Sequence, residues 1–177
     1  MEAPDGTPEL TRDAFDQMVV LNHEPIRRLV YRLLGWRDGG EDVVQEVFLS
    51  AWAAWRRVRN EEGVDVWLRR IAINKCRSRL RREAVHRRWF GWFSSSTPEE
   101  PQTMMEDSLA AAERAGRVRE AIKSLGASYR EVIVLHYLEQ MSVEQIAEIV
   151  GARRNSVEVR LHRARRQLEY LLADLME

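Results

Sequence analysis

Between positions 153 and 166 the chain sets Arg153, Arg154, Asn155, Ser156, Glu158, Val159, Arg160, His162, Arg163 and Arg166 in close succession. Arginine pairs with phosphate and can present two donors to one guanine, and a carboxylate can accept from cytosine. Val157, Leu161, Ala164 and Leu168 interleave with these groups at helical spacing, which predicts a helix with an apolar inner face and a polar, mostly basic outer one. Upstream, Ser142 and Gln145 have the spacing of a capping box. Val143, Ile146, Ala147 and Val150 give that preceding helix its own apolar face, and Gly151 suits a tight turn between the two. The pattern is that of a helix-turn-helix whose second helix enters a DNA groove. A helical hairpin with a solvated basic face writes the same pattern, so both readings stand at this point.

A second cationic run comprises Asn74, Lys75, Arg77, Arg79, Arg81 and Arg82, entered through Trp67-Leu68-Arg69-Arg70-Ile71-Ala72-Ile73. Cations beside aromatic and amide groups suit single-stranded nucleic acid, where phosphates need charge and unstacked bases need a pocket. Trp52, Trp55 and Trp67 are expected in the core rather than under bases. Earlier, Asp42, Gln45 and Glu46 form a polar edge beside an apolar stripe of Val43, Val44, Val47, Phe48, Ala51 and Trp52. By itself that edge reads as a solvated face.

Catalytic chemistry is poorly represented. His23, His86, His136 and His162 fall in separate elements, none at metal-ligand spacing with another. There is no glycine-rich phosphate loop and no nucleophile beside an evident base. The acidic pair Glu99-Glu100 falls in a Ser/Pro-rich stretch. The single cysteine, Cys76, excludes an internal disulfide and a cysteine-rich zinc site, and is expected as a buried, inert thiol. The chain therefore reads as a binding protein and not an enzyme, with no cofactor and no metal.

Formal net charge is zero, but the charges are segregated. Acids concentrate at 41–46, 61–65 and 99–113, and bases at 69–88 and 153–166. A neutral chain of this kind can still offer phosphate a basic face. No run approaches the ~20 apolar residues of a membrane helix. The opening residues lack the apolar core of a signal peptide, so the expected location is cytoplasmic, without direct membrane insertion.

Helical periodicity organises nearly everything, and strand-like alternation is absent. Phe15, Met18 and Val19, then Ile26, Leu29, Val30, Leu33 and Leu34, suggest two helices with Pro25 near the start of the second. Further helices are expected over 42–57 and 67–83. The stretch Ser94-Ser95-Ser96-Thr97-Pro98-Glu99-Glu100-Pro101 reads as a flexible linker, and helical pattern resumes near Asp107. The predicted fold is all-α: two small helical domains, 9–90 and 115–175, joined by a linker at 91–114. The aromatic run Trp89, Phe90, Trp92 and Phe93 beside the linker is either an exposed anchor for a partner or a group tucked onto one of the domains.

Four segments, in this order and spacing, resemble the sigma-70 family of bacterial transcription factors, and its small extracytoplasmic function (ECF) group above all. They are Asp42-Val-Val-Gln-Glu-Val-Phe, Trp67-Leu-Arg-Arg-Ile-Ala-Ile-Asn, Tyr129-Arg-Glu-Val-Ile-Val-Leu-His-Tyr-Leu-Glu and Arg160-Leu-His-Arg-Ala-Arg. The resemblance spans roughly 10–90 and 115–172. It implies a sigma-2-like helical bundle and a sigma-4-like helix-turn-helix domain. It further implies binding to core RNA polymerase through the beta-prime coiled coil and the beta flap, binding to promoter DNA, and control by an anti-sigma factor. Asp42, Gln45, Glu46, Phe48 and Trp52 then fall on the polymerase-docking helix. Asn74, Lys75, Arg77, Arg79, Arg81 and Arg82 fall at the −10 element. At the −35 element, Glu158, Val159, His162 and Arg163 would face base edges, and Arg153, Arg154, Asn155, Ser156 and Arg160 would face phosphates.

The chain departs from the family pattern in places. Glu158 and Val159 stand where many members carry a base and a serine, which implies an uncommon −35 preference. Arg69 replaces a frequent aromatic, and Leu125-Gly126 replaces a Leu-Pro. The rival is a stand-alone helix-turn-helix regulator. It accounts for 132–166 but not for the Asp42 and Trp67 segments.

Overall fold

The computed structural model describes residues 12–36, 38–55, 63–90 and 109–173. Among them helices and short turns make up the whole architecture, with no strand.

The first helix corrects the expectation of two. α1 runs unbroken from Arg12 to Leu34 with Pro25 inside it. Proline removes the hydrogen bond to the carbonyl four residues back, here that of Leu21. Leu21 and Pro25 both lie on the exposed side, so water can serve the freed carbonyl. Phe15, Met18, Ile26, Leu29, Val30, Leu33 and Leu34 continue one buried stripe past the proline. α1 ends in a Schellman turn: Gly35 N–H donates to Arg32 O at 3.3 Å and Trp36 N–H to Tyr31 O at 2.8 Å. Gly35 takes the positive φ of 76° that this turn requires.

α2 spans Gly40–Ala54 and α3 spans Val64–Phe90. Gly40 starts α2 against the ring of Tyr31, where a β-carbon would come within 2.7 Å. α3 is longer at both ends than the 67–83 read from periodicity. Among the described side chains past Glu83, those of Ala84, Val85, His86 and Trp89 are exposed, so no buried stripe marks the last turns. Leu68, Ala72, Ile73 and Cys76 are buried along α3, and Trp55 packs edge-on against Phe15 at 5.3 Å. Trp55 is buried as expected, and Trp67 is half-buried against the core. Trp52, by contrast, touches Phe15 at 4.8 Å yet stays 49% exposed.

α4 (Leu109–Ser124) starts inside the stretch predicted as linker. α5 (Ala127–Ile133) passes directly into a π-helical turn, Val134–Leu138. α6 (Val143–Val150) and α7 (Arg154–Leu171) follow. α1–α3 pack on one another, and α5 packs on α7 with α4 and α6 alongside. The two groups also meet. α5 and the π turn lie on α1, and α6 lies on α3, so one apolar core runs through both.

Candidate nucleic-acid interface

The helix-turn-helix is built as its sequence indicates. Ser142 accepts from Gln145 N–H at 3.2 Å, and Gln145 Oε1 accepts from Ser142 N–H at 2.8 Å. At the other end of α6, Gly151 adopts a φ of 64° and Ala152 N–H reaches back to Ala147 O at 2.9 Å. The turn therefore holds α7 at a fixed angle on α6. Val157, Leu161 and Ala164 are buried beneath α7, while Arg153, Arg154, Asn155, Ser156, Glu158, Val159, His162 and Arg163 are exposed and Arg160 is half-buried. Arg154 Nε lies 2.9 Å from Glu158 Oε1 and 3.2 Å from Glu144 Oε1. Exposed pairs of this kind are worth at most about 1 kcal/mol, so a phosphate or a base can displace them.

On α3, Asn74, Arg81 and Arg82 are exposed, and Lys75, Arg77 and Arg79 are half-buried. Several of these cations are already partnered. Lys75 lies 3.6 Å and Arg82 3.9 Å from Glu46, Arg79 donates to Glu83 at 2.6 Å, and Arg77 lies 3.2 Å from Glu131. Glu46, expected to face polymerase, is thus turned toward α3. Asp42 and Gln45 are exposed, and half-buried Phe48 stacks on His23 at 5.9 Å.

The structure also displays groups the sequence reading passed over. Leu49 is 69% exposed beside Trp52 on α2, and Val20 and Leu21 stand out from α1. Leu49 sits in the same apolar run as Phe48, so periodicity alone assigned it no special place.

Arg130 is 2% exposed. Its Nε donates to Leu33 O at 3.1 Å, and its Nη1 donates to Lys123 O at 3.1 Å and Leu125 O at 3.2 Å. One guanidinium therefore serves carbonyls at the ends of both α1 and α4, where helix dipoles concentrate negative charge. The signal for it was faint: Arg130 and Glu131 stand together at the start of the apolar run Val132 to Leu135.

Beside it, burial pushes the Glu131 carboxyl above its ordinary range, while the positive fields of Arg77 and Arg160 pull it back. Burial, helped by Glu131, pushes the Cys76 thiol up to about 12. An Ellman-type thiol reagent at about pH 8 is accordingly expected to leave native Cys76 unmodified and to react on unfolding, because the thiolate is the reactive form. Rapid reaction of the folded protein would show that the thiol is within reach of solvent.

Comparison with known proteins gives this geometry a family. The model for sigma-70 region 2 matches residues 18–85, and that for sigma-70 region 4 matches residues 115–168. The ECF RNA polymerase sigma factor SigW of Bacillus subtilis is 30% identical over 93% of this chain and 91% of its own length. This chain is an ECF sigma factor of the sigma-70 family. SigM of Mycobacterium tuberculosis is also 30% identical, over 93% of this chain and 80% of its own. The sigma factor RpoE of Bartonella quintana, solved in complex with the anti-sigma factor NepR, matches with a TM-score of 0.72 and 26% identity over 91% of this chain and 98% of its own. CnrH, solved with the cytosolic domain of CnrY, matches with a TM-score of 0.61 and 28% identity over 93% and 90%. Among the described residues of this sigma factor, no helix is long and apolar enough to cross a membrane.

Proposed function

We propose that this sigma factor acts as a two-point clamp on promoter DNA, within the holoenzyme it forms with core RNA polymerase. The observation that carries this reading is the pairing of two surfaces in one chain. One is a capped helix-turn-helix with an exposed polar face on α7; the other is a cationic α3 beside an α2 that leaves Leu49 and Trp52 in solvent. The sigma-2 domain is assigned to 9–90 and the sigma-4 domain to 115–175, with α4 reaching back into the intervening 91–114. Asp42, Gln45, Phe48 and Trp52 would dock on the beta-prime coiled coil, with Leu49 added to them. Glu46 would join once it leaves Lys75 and Arg82. Asn74 and the α3 cations would hold the opened −10 strand, and α7 would lie in the major groove at −35 while sigma-4 engages the beta flap.

Melting by capture needs no nucleotide hydrolysis, because held bases and phosphates offset the few kcal/mol of each lost stack. The reading is of a non-enzymatic, cytoplasmic protein. Control by an anti-sigma factor is supported by relatives of the same architecture whose structures contain such partners, RpoE with NepR among them.

Run-off transcription with core polymerase on genomic fragments tests the proposal. Core-dependent starts at discrete sites are the expected result. Folded protein that neither binds core nor initiates would move the assignment to a stand-alone regulator. Within the −35 surface, Glu158→Lys is expected to change the preferred sequence by about 1–3 kcal/mol at one base pair, since it replaces an acceptor for cytosine with a donor for guanine. Selection from a randomised −35 pool reads this out. An unchanged preference would remove Glu158 from the reading face.

A further inference from the structure

α3 has two opposed sides. Leu68, Ala72, Ile73 and Cys76 are buried where it packs on α1 and α2. On the other side Asn74, Ser78, Arg82, Val85 and Trp89 are all exposed. At 3.6 residues per turn these five fall within about 80° of the helix circumference, so they form one row along its axis. Asn74 and Arg82 belong to the group assigned above to the opened −10 strand. The row does not stop with them. Val85 is 52% and Trp89 78% exposed. Trp92 and Phe93 of the same aromatic run lie outside the described residues.

The charges around the far end of the row are one-sided. After Glu83, α3 reads Ala84-Val-His-Arg-Arg-Trp-Phe, with no acid. Glu83 itself is held by Arg79 at 2.6 Å. The acid that meets the row, Glu46 of α2, lies 3.9 Å from Arg82, about two turns before Trp89. A flat indole in solvent, in line with an amide, a hydroxyl and a guanidinium, is the combination that unpaired nucleic acid takes: cations for phosphates and a ring for a base. The reach fits as well. From Asn74 to Trp89 the axis rises ~22 Å at ~1.5 Å per residue. That is the length of about six stacked nucleotides at ~3.4 Å each.

We propose that Trp89 is a stacking platform for an unpaired promoter base, extending the strand-binding face of α3 by two turns beyond Arg82. Val85, one turn before it, adds apolar contact on the same line. The proposal rests on the clamp reading and gives it a second hold on the opened strand, apart from Asn74.

The test uses holoenzyme formed from core polymerase and the full chain. Its probe is a promoter found by run-off transcription, held open by mismatches over the −10 element. Trp89→Leu keeps an apolar side chain and removes the ring. It is expected to weaken binding of this probe about fivefold or more, the effect of losing one base–aromatic stack. Trp89→Phe keeps a ring and is expected to stay within about threefold of the parent. Stacking involves no phosphate, so the slope of log affinity against log salt should be the same for Trp89→Leu as for the parent, whereas losing a phosphate contact lowers it by about 0.7. With 2-aminopurine stepped along the non-template strand, quenching at one or two positions is expected with the parent and Trp89→Phe and not with Trp89→Leu.

A Trp89→Leu holoenzyme that binds the opened promoter as tightly as the parent would overturn the proposal and leave the exposed ring to a protein partner. Equal losses in Trp89→Leu and Trp89→Phe, with no change in quenching, would overturn it too, since they would show a structural role. If Trp89→Leu fails to fold, Trp89→Ala and the quenching pattern of Trp89→Phe decide the matter in the same way. The parent holoenzyme separates this idea from the clamp. A parent that does not hold the opened promoter removes both, and a parent that holds it regardless of residue 89 keeps the clamp and loses the platform.

Discussion

Arg130→Met is expected to lower the unfolding free energy by about 3–5 kcal/mol, because three carbonyls at the ends of two helices lose one charged donor together. The methionine fills much of the same volume, so the loss comes from hydrogen bonds rather than from a cavity. The carbonyls of Leu33, Lys123 and Leu125 would each lose the donor they have in Arg130. A buried acceptor without a partner costs about 1–3 kcal/mol, and donors carrying full charge are the stronger kind. Arg130→Lys should recover only part of the stability, because a single ammonium cannot reproduce the planar fork that reaches α1 and α4 together. Urea unfolding followed by far-UV circular dichroism measures both, with a midpoint shift of about 1–2 M for the methionine variant. A shift below about 0.3 M would mean that water replaces the guanidinium and that the arginine is not the fastener its geometry indicates.

The same residue explains a demand at Gly35. A β-carbon there would sit 2.9 Å from the Arg130 guanidinium carbon, and the φ of 76° already disfavours a side chain. The glycine therefore closes the turn after α1 and leaves room for the cation that caps it.

How far this was legible depends on the range of the interaction. The helix-turn-helix could be read almost residue by residue, because caps, apolar stripes and turn glycines are local. Ser142, Gln145 and Gly151 lie within one short stretch and act on their own neighbours. The break at Pro25 was misread because the local rule was outweighed. A buried stripe from Phe15 to Leu34 favours one continuous helix, and an exposed proline loses only one hydrogen bond to a carbonyl that water can reach. The extension of α3 past Glu83 carries apolar residues, but Val85 and Trp89 are exposed there, so they mark no core-facing stripe.

The seam between the two halves was not legible at all. Arg32 and Glu139 are 107 positions apart, and nothing in either neighbourhood names the other. Segregated charge showed that such a seam was possible, but its register depends on how the helices dock. The proposed docking face was half legible for a related reason. The stripe from Val43 to Trp52 is apolar almost all round, and periodicity does not tell which of Val47, Phe48 and Leu49 faces the core. The structure buries Val47, half-buries Phe48 and leaves Leu49 in solvent.

That assignment makes Leu49→Asp the sharpest test of polymerase docking. Leu49 is 69% exposed, and substitutions at such positions usually change stability by less than about 0.5 kcal/mol. Affinity for core polymerase is expected to fall by about 2–4 kcal/mol, roughly 30- to 1000-fold, if Leu49 is an apolar anchor at the centre of the docked face. The aspartate would be both an absent anchor and a charge stripped of water. Trp52→Ala should lose affinity too, but it also removes the edge contact with Phe15 at 4.8 Å, so part of its effect is on folding. Measuring the thermal midpoint beside the core-polymerase affinity separates the two variants. Leu49→Asp should move only the affinity, and Trp52→Ala should move both. A Leu49→Asp protein that binds core as tightly as the parent would place the docking surface elsewhere, with the exposed Val20 and Leu21 of α1 the next apolar groups to substitute.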